Sequence, residues 1–140
     1  MQSLNHNLKT QPALERPTIV CLCGSTRFFD TFLKLNLEET LAGRIVLSIA
    51  SDRSSENKIF ESLNAVDLEN LKQKLAQLHF HKIDLADEIL VVNVGGYVGE
   101  STTREVQYAQ TLGKKIRWLE PEYIPVHLRF PETREELTYG

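Results

Sequence analysis

The apolar positions of this chain fall into short unbroken runs separated by longer amphipathic stretches. Thr18-Ile-Val-Cys-Leu-Cys23 is continuous, rich in β-branched residues and closed by Gly24, the profile of a strand buried on both faces. Arg44 to Ile49, Glu88 to Val94 and Lys115 to Leu119 have the same character and predict three more strands. Between them the period changes to that of a helix. Phe28, Phe29, Phe32, Leu33, Leu35 and Leu37 recur at helical spacing, stopped by Ala42-Gly43. Leu68, Leu71, Leu75, Leu78 and Ile83 form an apolar stripe within a helix over 66–86 that Asp67 would cap. A third helix is predicted over 101–112, ending at Gly113. Residues 50–64 are polar and irregular, the composition of a long loop or lid. Tyr123 to Phe130 predicts a short edge strand or packing arm, limited by Pro125 and Pro131.

Strands that alternate with helices imply right-handed crossovers and a parallel sheet covered on both faces. The expected architecture is therefore a Rossmann-like or flavodoxin-like three-layer α/β fold with a mainly parallel sheet of four to five strands. Residues 1–16, polar and broken by Pro12, read as a flexible tail, and 17–140 as a single domain. In such sheets ligands bind beyond the carboxyl ends of the strands, where strand order reverses. The turns at 24–27, 48–53 and 93–105 are the places to look.

The 140 residues, 41% hydrophobic and 25% charged, suit one soluble domain, and no apolar stretch approaches the ~20 residues of a membrane span. The N-terminus lacks the apolar core of a signal peptide, so the expectation is a cytoplasmic protein without membrane contact. A net charge of −3 with scattered Lys and Arg argues against nucleic acid as a partner. Cys21 and Cys23 alternate along the first strand and share a face. They are not a C-x-x-C pair, and no second cysteine pair completes a zinc site, so they read as buried reduced thiols and no metal is expected.

Candidate chemistry gathers in two turns. In Cys23-Gly-Ser-Thr-Arg27, Gly24 permits a tight turn, while Ser25, Thr26 and Arg27 offer hydroxyls and a guanidinium to an anion at a helix N-terminus. Equally, Ser25 or Thr26 can simply cap that helix. The segment is neither a P-loop nor G-x-G-x-x-G. In the third turn Asn93 is followed by Gly95, Gly96 and Gly99, then by Glu100, Ser101, Thr102 and Thr103, a loop whose backbone runs close to something. Thr102-Thr-Arg-Glu105 has the pattern of a capping box, so Glu105 has two readings: it caps the helix, or it reacts with a substrate. His79 borders the apolar stripe of its helix and His81 falls on another face. Residues two apart on a helix point apart, which favours a structural His79 over a metal ligand.

Together these residues resemble the nucleoside 2-deoxyribosyltransferase superfamily, including its nucleoside 5'-monophosphate N-glycosidases. The resemblance spans about Thr18 to Leu119 and rests on GSTR at Gly24 to Arg27, IDLADEILVVN at Ile83 to Asn93, and STTREVQYAQTLGKKI at Ser101 to Ile116. It implies that Glu105 is a nucleophile attacking the anomeric carbon, kept ionised by its helix N-terminus. It further implies that Glu100 or His79 handles the base or its proton. Gly24, Ser25, Thr26, Arg27, Asn93, Gly96, Ser101 and Thr102 would line the substrate site, with the GSTR turn and Ser101 toward a 5'-phosphate. No cofactor is implied, and the partner is a small nucleoside or nucleotide. Gly99 stands where relatives often carry an aspartate, His79 stands near the place of a second acid, and Phe28 follows Arg27 where the phosphate branch is glycine-rich. A nucleotide-binding or sensing module that has lost catalysis is the alternative, and a NAD-cleaving enzyme a third reading. The apolar C-terminal segment, and the habit of relatives, lead to the expectation of a homodimer or larger homo-oligomer.

Overall fold

A computed structural model describes residues 15–49 and 59–129. Four parallel strands, β1 (Ile19–Cys23), β2 (Ile45–Leu47), β3 (Glu88–Val91) and β4 (Lys115–Trp118), form one sheet in the order β2-β1-β3-β4. Three helices connect them: α1 (Phe29–Leu41), α2 (Ala65–Leu85) and α3 (Glu100–Thr111). Alternate residues of the central strands face opposite layers. Val20, Leu22, Leu90 and Val92 pack with Phe32 and Leu35 of α1. Cys21, Cys23, Ile89 and Val91 pack with Ile83 of α2 and with Val106 and Ala109 of α3. The result is the expected three-layer α/β fold, and its strand order reverses between β1 and β3.

The elements depart from the sequence pattern in places that have physical causes. The strands are shorter than the apolar runs, because pairing ends where neighbouring strands stop. Asn64, not Asp67, caps α2: its side-chain oxygen accepts from the Asp67 amide at 2.8 Å, while its amide donates to the Asp67 carboxylate at 3.1 Å. The stripe along α2 is not a buried face, since Leu75 and Leu78 remain 46% and 52% exposed and only His79 and Ile83 are buried. A helix of this length spans about 30 Å, roughly twice the length of the strands beneath it. The C-terminal segment is a packing arm and not a strand. It forms two 3-10 turns, Pro121–Tyr123 and Val126–Leu128, and inserts Leu128 into the α2/α3 core, where the Gln110 side-chain amide donates to the Leu128 carbonyl at 2.9 Å. Most of the expected lid, 50–58, and the segment from Phe130 onward lie outside the described residues.

Two polar clusters fasten this frame. On the α1 face, Arg117 of β4 donates to Glu39 of α1 and to Glu88 of β3, and Arg44 lies 3.5 Å from Glu39. At the amino end of β1, Arg16 makes a two-pronged ion pair with Asp87 at 2.9 Å for each contact, and the Ile19 amide donates to Asp87 at 2.8 Å. Arg16, assigned to the tail by composition, is therefore tied to the domain, while residues 1–14 lie outside the described residues. Among the described residues no helix is long and apolar enough to cross a membrane.

Candidate active site

The helix that carries Glu105 begins earlier than a capping box requires. Gly99 is the N-cap, no side chain caps the helix, and Thr102 is its third residue and buried. Glu105 therefore lies in the second turn and does not reach back to a cap. Its side chain, 14% exposed, turns inward to His79, whose Nε2 is 3.9 Å from Glu105 Oε1. Of the two readings of this glutamate, the structure removes the capping one.

His79 is buried near the end of α2, and its Nε2 lies 3.6 Å from Cys21 Sγ and 3.5 Å from Cys23 Sγ. A cluster of two thiols, an imidazole and a carboxyl thus sits at the carboxyl end of β1, between the sheet and helices α2 and α3. Burial raises the Glu105 pKa to about 7, with the attraction of His79 opposing it. The expectation that the helix N-terminus would lower this pKa is reversed, because a macrodipole acts mainly within the first turn and burial dominates beyond it. Burial by itself depresses His79, but its hydrogen bond with Cys21 and the Glu105 charge more than offset this and leave it raised. Cys21 is held below the range of a free thiol by a hydrogen bond from Cys23, burial opposing, and Cys23 is correspondingly pushed up.

The turns after β1 and β3 touch each other beyond the carboxyl ends of these strands. The Arg27 guanidinium lies over the Tyr97 ring, 3.9 Å from its centre, and Phe28 packs edge-on against that ring at 5.9 Å. Tyr97, which the sequence pattern did not single out, thereby joins the turn after β1 to the turn after β3. An aromatic inside a glycine run was the available signal.

Several candidates have structural duties. Gly24 is required by space: a Cβ there would lie 2.9 Å from that of Val92 and 3.2 Å from the Phe32 ring. Ser25 caps the short turn Thr26–Phe28 by accepting from the Arg27 amide at 3.2 Å. Thr26 and Arg27 are exposed. Asn93 is fully buried and grips the backbone of Glu120, donating to its carbonyl at 3.0 Å and accepting from its amide at 2.9 Å. Gly96 adopts a positive φ of 84° and backs onto Tyr123. Ser101 is exposed, with Arg104 3.4 Å away. Glu100 is exposed and five residues before Glu105, so the helix turns it about 140° away from the His79 cluster.

No family model matches this chain, and no curated protein matches it in sequence. The chemistry must be argued from the arrangement itself. A carboxyl and an imidazole beside each other, sheltered from water at a strand-order switch point, can add to an electrophilic carbon and move a proton.

Proposed function

We propose that this chain breaks the N-glycosidic bond of a nucleoside or nucleoside 5'-monophosphate, by hydrolysis or by transfer to a second base, with Glu105 as nucleophile. The observation that carries the reading is the Glu105–His79 pair at the carboxyl end of β1. In this mechanism the carboxylate bonds to the anomeric carbon as the bond to the base breaks. The base leaves with the electron pair and takes a proton from the His79 imidazolium. Water or a second base, either one giving its proton back to His79, then displaces the glycosyl ester and frees the carboxylate, as in retaining glycoside hydrolysis. Glu100 faces elsewhere, so the proton role goes to His79.

The phosphate-bearing substrate is favoured over the free nucleoside. Arg27 supplies a permanent charge at the turn after β1, and the first turn of α3 begins with no side-chain cap on its amides, two features that suit a dianion. Self-association belongs to the same proposal, with Leu33, Leu37 and Leu41, 56%, 60% and 77% exposed along one side of α1, as a surface that a second copy would cover. Sedimentation at micromolar concentration should show a dimer or larger species, and a monomer alone would remove this part.

The deciding experiment is incubation with a panel of nucleosides and 5'-monophosphates, followed by chromatography for free base. Release of base supports the proposal. Saturable binding without release would establish the sensing alternative in its place, and neither binding nor release would overturn both.

A further inference from the structure

We infer that Cys21, Cys23 and His79 form a binding site for a single thiophilic metal ion of the zinc type. Cys21 and Cys23 are successive same-face residues of the central strand, and His79 reaches them from α2. The three donor atoms lie within 4.8 Å of one another, and all three residues are buried. They are the one such group of three among the described residues.

Two of the three edges match a coordination shell, and the sulfur-to-sulfur edge, within 4.8 Å, has to close to about 3.8 Å. With Zn–S bonds of about 2.3 Å and Zn–N bonds of about 2.0–2.1 Å, a tetrahedral ion holds sulfur and nitrogen about 3.6 Å apart. The two Sγ to Nε2 distances are 3.6 and 3.5 Å. An ion placed between them would need only small movements of the side chains. Glu105 Oε1 lies 3.9 Å from the same nitrogen but is not among the donors that close on one another, so a water completes the shell. Two sulfurs and an imidazole prefer zinc, or its stand-in cobalt, over magnesium or calcium, which take hard oxygen donors. On binding, the thiol protons pass to solvent, and neutral His79 donates through its Nε2 lone pair.

A disulfide is the competing fate of two neighbouring cysteines, and the strand disfavours it. Same-face neighbours on one strand are about 6.6–6.8 Å apart at Cα, the upper limit for a bridge, and their Cβ bonds run parallel. Residues that cannot easily close on each other can still share an ion.

If the catalytic proposal holds, the ion competes with it, because it takes the His79 nitrogen that faces Glu105. That consequence rests on the proposed function. The site itself does not.

The test uses the full chain, reduced and free of metal. Titration with Co²⁺ should give sulfur-to-cobalt charge-transfer absorption and intense tetrahedral bands that saturate at one ion per chain. Zn²⁺ should abolish them mole for mole, and X-ray absorption of the zinc form should show two sulfurs plus nitrogen or oxygen neighbours. Cys21→Ser/Cys23→Ser, and separately His79→Asn, should weaken binding at least ~100-fold, more than the loss of a group that merely supports a ligand. Circular dichroism checks the fold of each variant. Absence of the charge-transfer band in the unmodified chain, a zinc shell without sulfur, or unchanged binding by folded variants would each overturn the inference. Base release, measured separately with and without Zn²⁺, distinguishes failure of the metal site from failure of the catalytic reading.

Discussion

The two faces of the sheet each bury a charged cluster, and the clusters are built on opposite principles. On the α1 face, Glu39 and Glu88 share Arg117, a cation that never loses its proton, with Arg44 alongside. On the other face, Glu105, His79, Cys21 and Cys23 face one another without a permanent cation among them. The first cluster ties α1, β3 and β4 together through Arg117. In the second, burial and the members' own hydrogen bonds and charges shift Cys21, His79 and Glu105 from their ordinary pKa values, with Lys82 and Arg104 acting from outside the cluster. The proposed chemistry uses the second arrangement, on the α2/α3 side.

The comparison is most sharply broken by Glu105→Gln. On the catalytic reading base release should fall about 10³-fold or more, equivalent to about 4 kcal/mol of transition-state stabilisation, while folding stability changes by less than about 1 kcal/mol. A chromatographic assay and a urea titration measure the two quantities. Equal activity of both forms on every substrate cleaved would show that Glu105 is not the nucleophile.

Arg117→Met should do the reverse, leaving the chemistry in place and costing stability. Glu39 and Glu88 are buried, so removing their shared cation strands Glu88 and leaves Glu39 with Arg44 alone. The expected loss is about 3 kcal/mol, the lower end for breaking a buried ion pair, because 26% of the Arg117 side chain reaches solvent. Urea unfolding measures it. A change below about 1 kcal/mol would show that the two clusters do not differ in the way described.

Sequence periodicity was enough to predict the layers, because strands buried on both faces and helices with apolar stripes leave few arrangements open. It overstated α2, since Leu75 and Leu78 repeat at helical spacing whether or not a sheet lies beneath them. The site was legible only in part. Glu105 and His79 stood out as candidates, but the TTRE pattern permitted a cap that forms only if the helix starts at Thr103, and α3 starts three residues earlier. Local sequence also could not show that His79 meets cysteines 58 and 56 positions away. Asn93 looked available to a ligand until the turn after β4 arrived to occupy its amide. In each case the missing information was a contact between segments distant in sequence.

Arg27→Ala, at the turn after β1, has a smaller expected effect. Its guanidinium over Tyr97 should contribute to phosphate binding, so monophosphate affinity is expected to fall by ~1.5–3 kcal/mol, the range for a hydrogen bond to a charged group. Nucleoside affinity should hardly change. Calorimetric titration with both ligands gives the answer, and equal losses would assign Arg27 to the packing of Tyr97 and Phe28.

The smallest expected effect lies at the amino end of β1, away from both clusters, and it is lost in acid. The hydrogen bond from Arg16, followed by that from the Ile19 amide, lowers the Asp87 pKa to about 2. A carboxyl whose folded pKa is depressed contributes stability above its unfolded pKa and loses it as pH falls through the folded value. The contribution of Asp87 should therefore be intact at neutral pH and disappear between about pH 4 and pH 2, the upper bound being the ordinary aspartate pKa. Because the pair is exposed, the effect should be small and should shrink further in high salt. Asp87→Asn removes the titrating group. The stability difference between the two proteins, from urea titrations at a series of pH values, should be constant above about pH 5 and narrow steadily below pH 4. A difference that stays constant down to pH 2 would mean that the folded chain does not depress the Asp87 pKa.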